Sequence, residues 1–507
     1  MKARFDGFEW EQQKYLQAQL QHLPVRLHES ALNKHARISE AKGYREGNIW
    51  IRESINKIKE RKIGLIQSVD LDADAEDFEE AAKRKAGKYA DLFNVLNSKI
   101  IEHAEQIEGI EIPGKTFDAQ LKRLCDPKFW IRRIRKELRQ HREVTHLLMA
   151  PERIKYVSRD GHIEYLKMLD GHKAWAINTA YVSDTGEVIP APTPEASAKR
   201  RYAQLLAQTK GLSQVAEERH LKAIFVTLTL DSNWHASRQA GRARIANDSY
   251  DESTPREAHQ YFTEQWARFR ALMKKRNIDF EYVNAVHAHK NSTPHRHLIL
   301  WTLPEHKNEV IEMIYTYFKT NDFDEQIVIE EPRQDGSAVA YASRILAYMT
   351  RHMGEDATNE DIKEAEAVSA WGSTWSIRRY STSLTKSTLW KIARNKGVEG
   401  VPKELAEAAQ EGRYKDFIEL CDKYQAKIKY EAKENSYGEE YKIPCGMTTS
   451  KGEAKKVITW TRISIKKVTV ILKSQEVGEI TEIDVTDFPE ILQVKEKEQE
   501  TNPKFSP

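Results

Sequence analysis

The stretch FEYVNAVHAHKNSTPHRHLILWTL, residues 280–303, constrains the fold more than any other. Two long runs rich in β-branched, aromatic and aliphatic residues flank the short connection KNSTP, which predicts an antiparallel hairpin. A second strand signal, AIFVTLTLD, lies upstream at 223–231. Between them STPREAHQYFTEQWARFRALMKKRN reads as a long helix, with Ser253 or Thr254 as cap and Pro255 in its first turn. Downstream come a helix (NEVIEMIYTYFKT), a short strand (EQIVIEE) and a helix (SAVAYASRILAYMTRHM). The order strand, helix, strand, strand, helix, strand is a split βαβ pattern. It implies the α+β class, with a central antiparallel sheet flanked by helices.

The hairpin also holds four of the chain's 17 histidines within eleven residues. Strand side chains alternate faces, so His295 and His297 point the same way, as do His287 and His289 across the turn. Pairing brings one of the latter opposite the former two. Three nitrogen ligands with open positions suit a catalytic rather than a structural metal. A chance surface cluster and a pH-sensitive surface are the competing readings. Further on, Tyr341 and Tyr348 are seven residues apart, two helical turns, with Arg344, Arg351 and His352 around them. A helical tyrosine is ordinarily core. Beside a metal-held phosphate it is a candidate covalent nucleophile.

Elsewhere the reading is coarser. Residues 1–150 carry apolar positions at helical spacing. In RLCDPKFWIRRIRKELRQHRE, Asp126 caps, Pro127 suits the first turn, and Trp130, Ile134 and Leu138 form one face. Arg132, Arg135, Arg139 and Arg142 form a second stripe, either a solvated basic face or a phosphate-contacting one. An extended region and a stiff proline-rich linker, GEVIPAPTPEASAKRR, are expected across 151–220, followed by a helix. Across 391–507 the chain is charged, with a short sheet expected, one clear strand run, VITWTRISIKKVTVIL, and a tail, VKEKEQETNPKFSP, expected to be disordered. Trp371, Trp375, Arg378 and Arg379 mix aromatic and basic groups as a single-stranded DNA surface does, although Trp371 and Trp375 equally suit a core.

Net charge is only +3, so any nucleic-acid affinity must come from local patches. Cys125, Cys421 and Cys445 form no pair motif, which argues against a disulfide scaffold or a cysteine zinc site and fits a reducing cytoplasm. The opening MKARFDGFEWEQQ lacks the apolar core of a signal peptide, and no run reaches the ~20 apolar residues of a membrane helix.

FVTLTLD, then TPHRH, then a helical tyrosine, in that order, resemble the three motifs of HUH-type replication initiators, and more specifically the phage replication gene A protein family. RLCDPKFWIRR, YVSRDG, SAKRRYAQLL and AVSAWGSTWSIRRY are similar to that family too, so the resemblance covers roughly residues 120–390. It implies an HUH nuclease domain at 221–390 that nicks and rejoins DNA in a bacterial host cell. His295 and His297 would be metal ligands. The third ligand falls at His287, where the family tends to carry glutamate, with His289 the alternative. A divalent ion is implied, and an all-histidine set leans it toward manganese over magnesium. Tyr348 matches the second of two family tyrosines and Arg351 the basic residue after it. Arg344 stands where the first tyrosine would be, and Arg296 where the histidine pair encloses an apolar residue.

The resemblance further implies attack by Tyr348, a 5′-phosphotyrosine link and a 3′ hydroxyl that primes a host polymerase, with Arg344 and Arg351 on phosphate oxygens. Thr227 and Thr229 could face DNA or pack, and Asp231 or His235 could support the ligands. No glycine-rich Walker sequence lies in this region or its flanks, so a host helicase is an expected partner alongside single-stranded or supercoiled origin DNA. A relaxase, a transposase and a non-catalytic DNA-binding protein are the competing functions.

Overall fold

The computed structural model describes residues 9–320, 324–330, 338–351, 357–395 and 397–464. At its centre lies a five-stranded, wholly antiparallel sheet. Its strands run, edge to edge, Ile327–Glu330, Lys222–Leu228, Pro294–Thr302, Phe280–Ala288 and Tyr380–Thr382. The α+β class follows, and the predicted hairpin supplies two central strands.

Strand alternation sorts the sheet into two dry faces. Ile224, Val226, Leu228, Leu298 and Leu300 pack under helices Pro255–Lys275 and Lys307–Phe318, against Phe262, Trp266 and Phe269. Phe225, Val283, Ala285, Ile299 and Trp301 pack on the other side, against Leu205 and Leu212 of helix Pro194–Glu218 and Ala342 and Leu346 of helix Ala338–Thr350. Thr254 caps the first of these helices in a reciprocal capping box with Glu257, as its sequence predicts.

Residues 10–149 are helical. Asp126 accepts from the Lys128 N–H, Pro127 opens helix Pro127–Met149, and Trp130, Ile134 and Leu138 are fully buried. Two expectations need correction. The proline-rich stretch is not a linker: Val188–Pro190 pairs with strand Thr179–Ser183, and Thr193 and Pro194 cap and open a 25-residue helix. The supposedly extended region contains helix Arg159–Ile177. The charged C-terminal region folds around Trp390, Tyr414 and Phe417, with a four-stranded sheet built on hairpin Lys427–Glu434 and Glu440–Thr449. Strand Trp460–Ser464 returns to pair with Thr179–Ser183. The expected disordered tail lies outside the described residues.

Candidate active site

The histidine hairpin is in the register its sequence demands: His287 faces His295 and Ala285 faces His297 across the strands. His295 and His297 share their face with Ile299 and Trp301. That is the face covered by the helix carrying Tyr348.

The hairpin turn is held from several sides. Its Ser292 has φ +77°, and Asn291 reaches Ser237 O and His235 Nδ1, each at 2.8 Å. Thr293 Oγ1 donates to Trp234 O at 2.9 Å, and Trp371 Nε1 donates to Ser292 O at 2.8 Å. The neighbouring Lys290 O accepts from the Tyr156 N–H.

The imidazoles cluster tightly. Ring centroids of His289 and His295 are 4.2 Å apart, His295 and His297 4.7 Å, and His287 and His295 5.3 Å. His235 joins at 5.4 Å from His289. Burial drives all of them toward the neutral form: His287 and His297 fall to about 4, His289 to about 3, and His295 well below its usual range. Proximity of the rings to one another adds to this.

Hydrogen bonds fix tautomers. His287 Nδ1 lies 2.9 Å from Ala288 O, which can only accept, so Nδ1 carries the proton and Nε2 the lone pair. His235 accepts from Asn291 at Nδ1 and donates from Nε2 to Leu230 O, so it braces the cluster with both nitrogens used. Thr227 Oγ1 sits 3.2 Å from His297 Nδ1. His289 Nε2 and His295 Nδ1 are buried with no hydrogen-bond partner. A buried polar atom without a partner costs about 1–3 kcal/mol. Uncharged imidazoles with orphaned nitrogens are a donor set suited to a divalent transition ion. In this arrangement the rings meet at tilted or edge-on angles, and among the described residues no three His, Cys, Asp or Glu side chains are grouped to hold a metal.

The helix backbone carrying Tyr341, Arg344 and Tyr348 is described, and their side chains lie outside the described residues, as does His352. Arg351 ends that helix at φ +60°, its guanidinium 5.8 Å from the Tyr165 ring centre. Arg379 lies near His287: its carbonyl accepts from the Val286 N–H, its side chain packs where a Gly372 Cβ would intrude, and burial lowers it to about 10. Arg378 is exposed. Asp231 accepts from Thr320 Oγ1, and its charge acts weakly on the His235 ring in favour of the protonated form. Asn291 and Glu364 had no sequence signal. Glu364 sits near enough to His287 to favour its charged form weakly and is paired with Lys155 at 2.6 Å.

Several predicted DNA contacts are corrected. Trp371 and Trp375 are buried to 0 % and 2 % exposure and offer no face for base stacking. Arg139 donates to Ser373 O, and Arg142 donates to Leu71 O and Ala73 O, so half the arginine stripe ties helices and loops together. Arg135 lies 5.8 Å from the Phe78 ring centre, and Arg132 bonds its own helix at Lys128 O, though both remain exposed. Arg296, which stands where the family has an apolar residue, is 2 % exposed over Phe262.

The pattern of the bacteriophage replication gene A protein family matches residues 53–401. The chain is 28 % identical over 403 residues to the replication protein of Haemophilus phage HP1, covering 71 % of this chain and 51 % of that one. It is 26 % identical to the probable replication protein P12 of Pseudoalteromonas phage PM2, covering 66 % of this chain and 58 % of the relative. A probable replication endonuclease from a prophage-like region of Salmonella paratyphi A is 25 % identical over 39 % of this chain and 26 % of its own length. The chain thus spans about half the length of the first two relatives, and no solved structure matches it significantly. With more than half its length in the family pattern, the chain belongs to the bacteriophage replication gene A protein family.

Proposed function

We propose that this chain starts phage or prophage DNA replication by nicking one strand at an origin, through Tyr348, with a divalent ion at the histidine cluster. One observation carries the reading: four neutral imidazoles lie at the end of the sheet face that the Tyr348 helix covers. Relatives named as replication proteins and probable replication endonucleases support it.

His287, His295 and His297 would hold the ion, with His289 as the alternative to His287. The tautomer of His287, with its lone pair on Nε2, favours His287. When bound, the ion supplies positive charge to the scissile phosphate. Tyr348 Oη loses its proton and attacks phosphorus. The P–O3′ bond breaks, O3′ takes a proton, and the 5′ phosphate stays on the tyrosine. Arg344 and Arg351 are the cations for the phosphate oxygens. The freed 3′ hydroxyl primes a host polymerase, with a host helicase opening the duplex, and the reverse attack rejoins the strand.

The test is a denaturing gel of the protein with manganese and single strands tiling its own gene. A protein–DNA adduct lost in Tyr348→Phe and His295→Ala supports the mechanism. Cleavage without adduct means a water nucleophile. Binding without cleavage supports the non-catalytic reading, which the lack of a ready-grouped ligand set among the described residues favours. Religation by Tyr341→Phe would remove Tyr341 from the joining step.

A further inference from the structure

Between the first central strand and helix Pro255–Lys275 the chain builds a small two-stranded wing, Ser237–Ala240 with Ala243–Ala246. Its sequence, SRQAGRARIA, contains three arginines and no acid. One face is an anchor. Ser237 is buried, its carbonyl accepts from Asn291, and Arg244 donates to Ile154 O and Lys290 O. Asn247, just after the wing, bonds Ala236 O through its N–H and His235 O through its side chain. Apart from the bond to Ile154 O, these contacts end on the turn of the histidine hairpin or on the segment around His235. The wing is therefore a fixture of the candidate site and not a loose loop.

The other face is unspent. Arg238 pairs across the wing with Ile245, which is 37 % exposed, and Arg242 sits at the tip beside Gly241, whose φ of +59° makes the tight turn. Arg238 and Arg242 are exposed, and among the described residues neither has a carboxylate partner. Many of this chain's other exposed basic groups are paired, as Arg26 is with Asp160 and Arg276 with Glu309.

We infer that the wing clamps the DNA strand entering the histidine site, with Arg238 and Arg242 each on a backbone phosphate. Charge complementarity selects the partner: two unpaired guanidiniums on an acid-free ribbon suit a polyanion and repel a basic protein surface. This rests on the proposed DNA-nicking function, but it assigns residues that function does not need.

The experiment measures binding of fluorescent 30-nucleotide single strands and 30-base-pair duplexes to the full chain across a salt series. Each lost phosphate contact lowers the slope of log K against log salt by about 0.7 for single strands and about 0.9 for duplex. Arg238→Ala/Arg242→Ala should therefore flatten the slope by about 1.4 or about 1.8, according to which form the wing grips. Arg238→Lys/Arg242→Lys should keep the wild-type slope, a rescue that a purely structural role would not give. An unchanged slope in the alanine variant, with wild-type binding and adduct formation intact, overturns the wing inference and leaves the nicking function standing. Failure of the wild type to bind either DNA overturns both.

Discussion

Arg296 is the residue whose replacement should teach most about the sheet beneath the site. It lies between two candidate ligands, His295 and His297, yet faces the opposite side, into the core of helix Pro255–Lys275. Its guanidinium is 5.2 Å from the Phe262 ring centre and donates to Thr263 Oγ1 at 2.8 Å, while its Nε has no partner. Burial lowers its pKa from 12.5 to about 9. At 1.36 kcal/mol per unit, this costs the charged form about 5 kcal/mol. Against that stand about 1–2 kcal/mol of cation–π attraction and about 1.5–3 kcal/mol from the hydrogen bond. The balance leaves Arg296 roughly 0–2 kcal/mol unfavourable, before the core contacts of its stem. Arg296→Met keeps those contacts and removes the charge, so it should stabilise the protein by about 1 kcal/mol, raising the melting temperature by about 2–4 °C. The pH dependence has a definite sign. Between pH 9 and 12.5 the unfolded chain binds a proton that the folded chain has released, so wild-type stability rises with pH there and the gap to the variant narrows. Melting curves at pH 7 and pH 10 measure both effects. A variant less stable than wild type by 2 kcal/mol or more (an order-of-magnitude margin from the same ledger) would refute the reasoning, since Thr263 and Phe262 would then outweigh desolvation.

The remaining predictions concern the cluster and its surroundings. Because His287 and His297 fall to about 4 and His289 to about 3, they are neutral when folded, whereas the unfolded chain protonates them near 6.5. Folded stability should thus be complete above pH 6.5 and fall steeply as pH drops to about 4, by up to roughly 3 kcal/mol for each of His287 and His297 taken singly. A urea midpoint that stays flat over that window would sink the claim. Thr227→Val keeps the strand and removes the contact to His297 Nδ1, so manganese affinity by calorimetry should fall about tenfold or more, and unchanged affinity would mean Thr227 only packs. Gly211→Ala places a Cβ 2.8 Å from Lys415 N and Tyr414 Cβ, where helix Pro194–Glu218 meets the C-terminal module. It should cost about 1–3 kcal/mol in thermal melts, and a neutral effect would show that the module is not packed there.

What the sequence made legible, and what it concealed, follows from how each signal is written. Period-two alternation across 280–303 determined the hairpin, its register and the shared face of His295 and His297, because a one-residue slip would have turned Leu298 and Leu300 to the wrong side. The capping signals at Asp126 and Thr254 act within four residues, so they too could be read directly. The strands at 427–434 and 440–449 were concealed because their exposed ribbon is mostly lysine, glutamate and tyrosine, with little apolar alternation. Pro190 to Pro194 reads as a linker only while its neighbours are unknown. In the fold one proline ends a strand and another opens a helix.

The site shows the same division more sharply. Ligand candidates could be named because their spacing is local, but apart from the Ala288 carbonyl beside His287 most of what tunes them is remote in sequence. Thr227 reaches His297 across 70 residues, His235 reaches Asn291 across 56, and Trp371 reaches Ser292 across 79. Trp371 illustrates the consequence. Beside Arg378 and Arg379 it has the composition of a base-stacking surface, yet its indole N–H is spent on the hairpin turn and its ring is fully buried. Composition reports which groups are available to a nucleic acid, whereas burial decides which of them can reach it. By that criterion the exposed arginines of the wing, in a segment with no motif, are better placed to meet DNA than the tryptophans inside one.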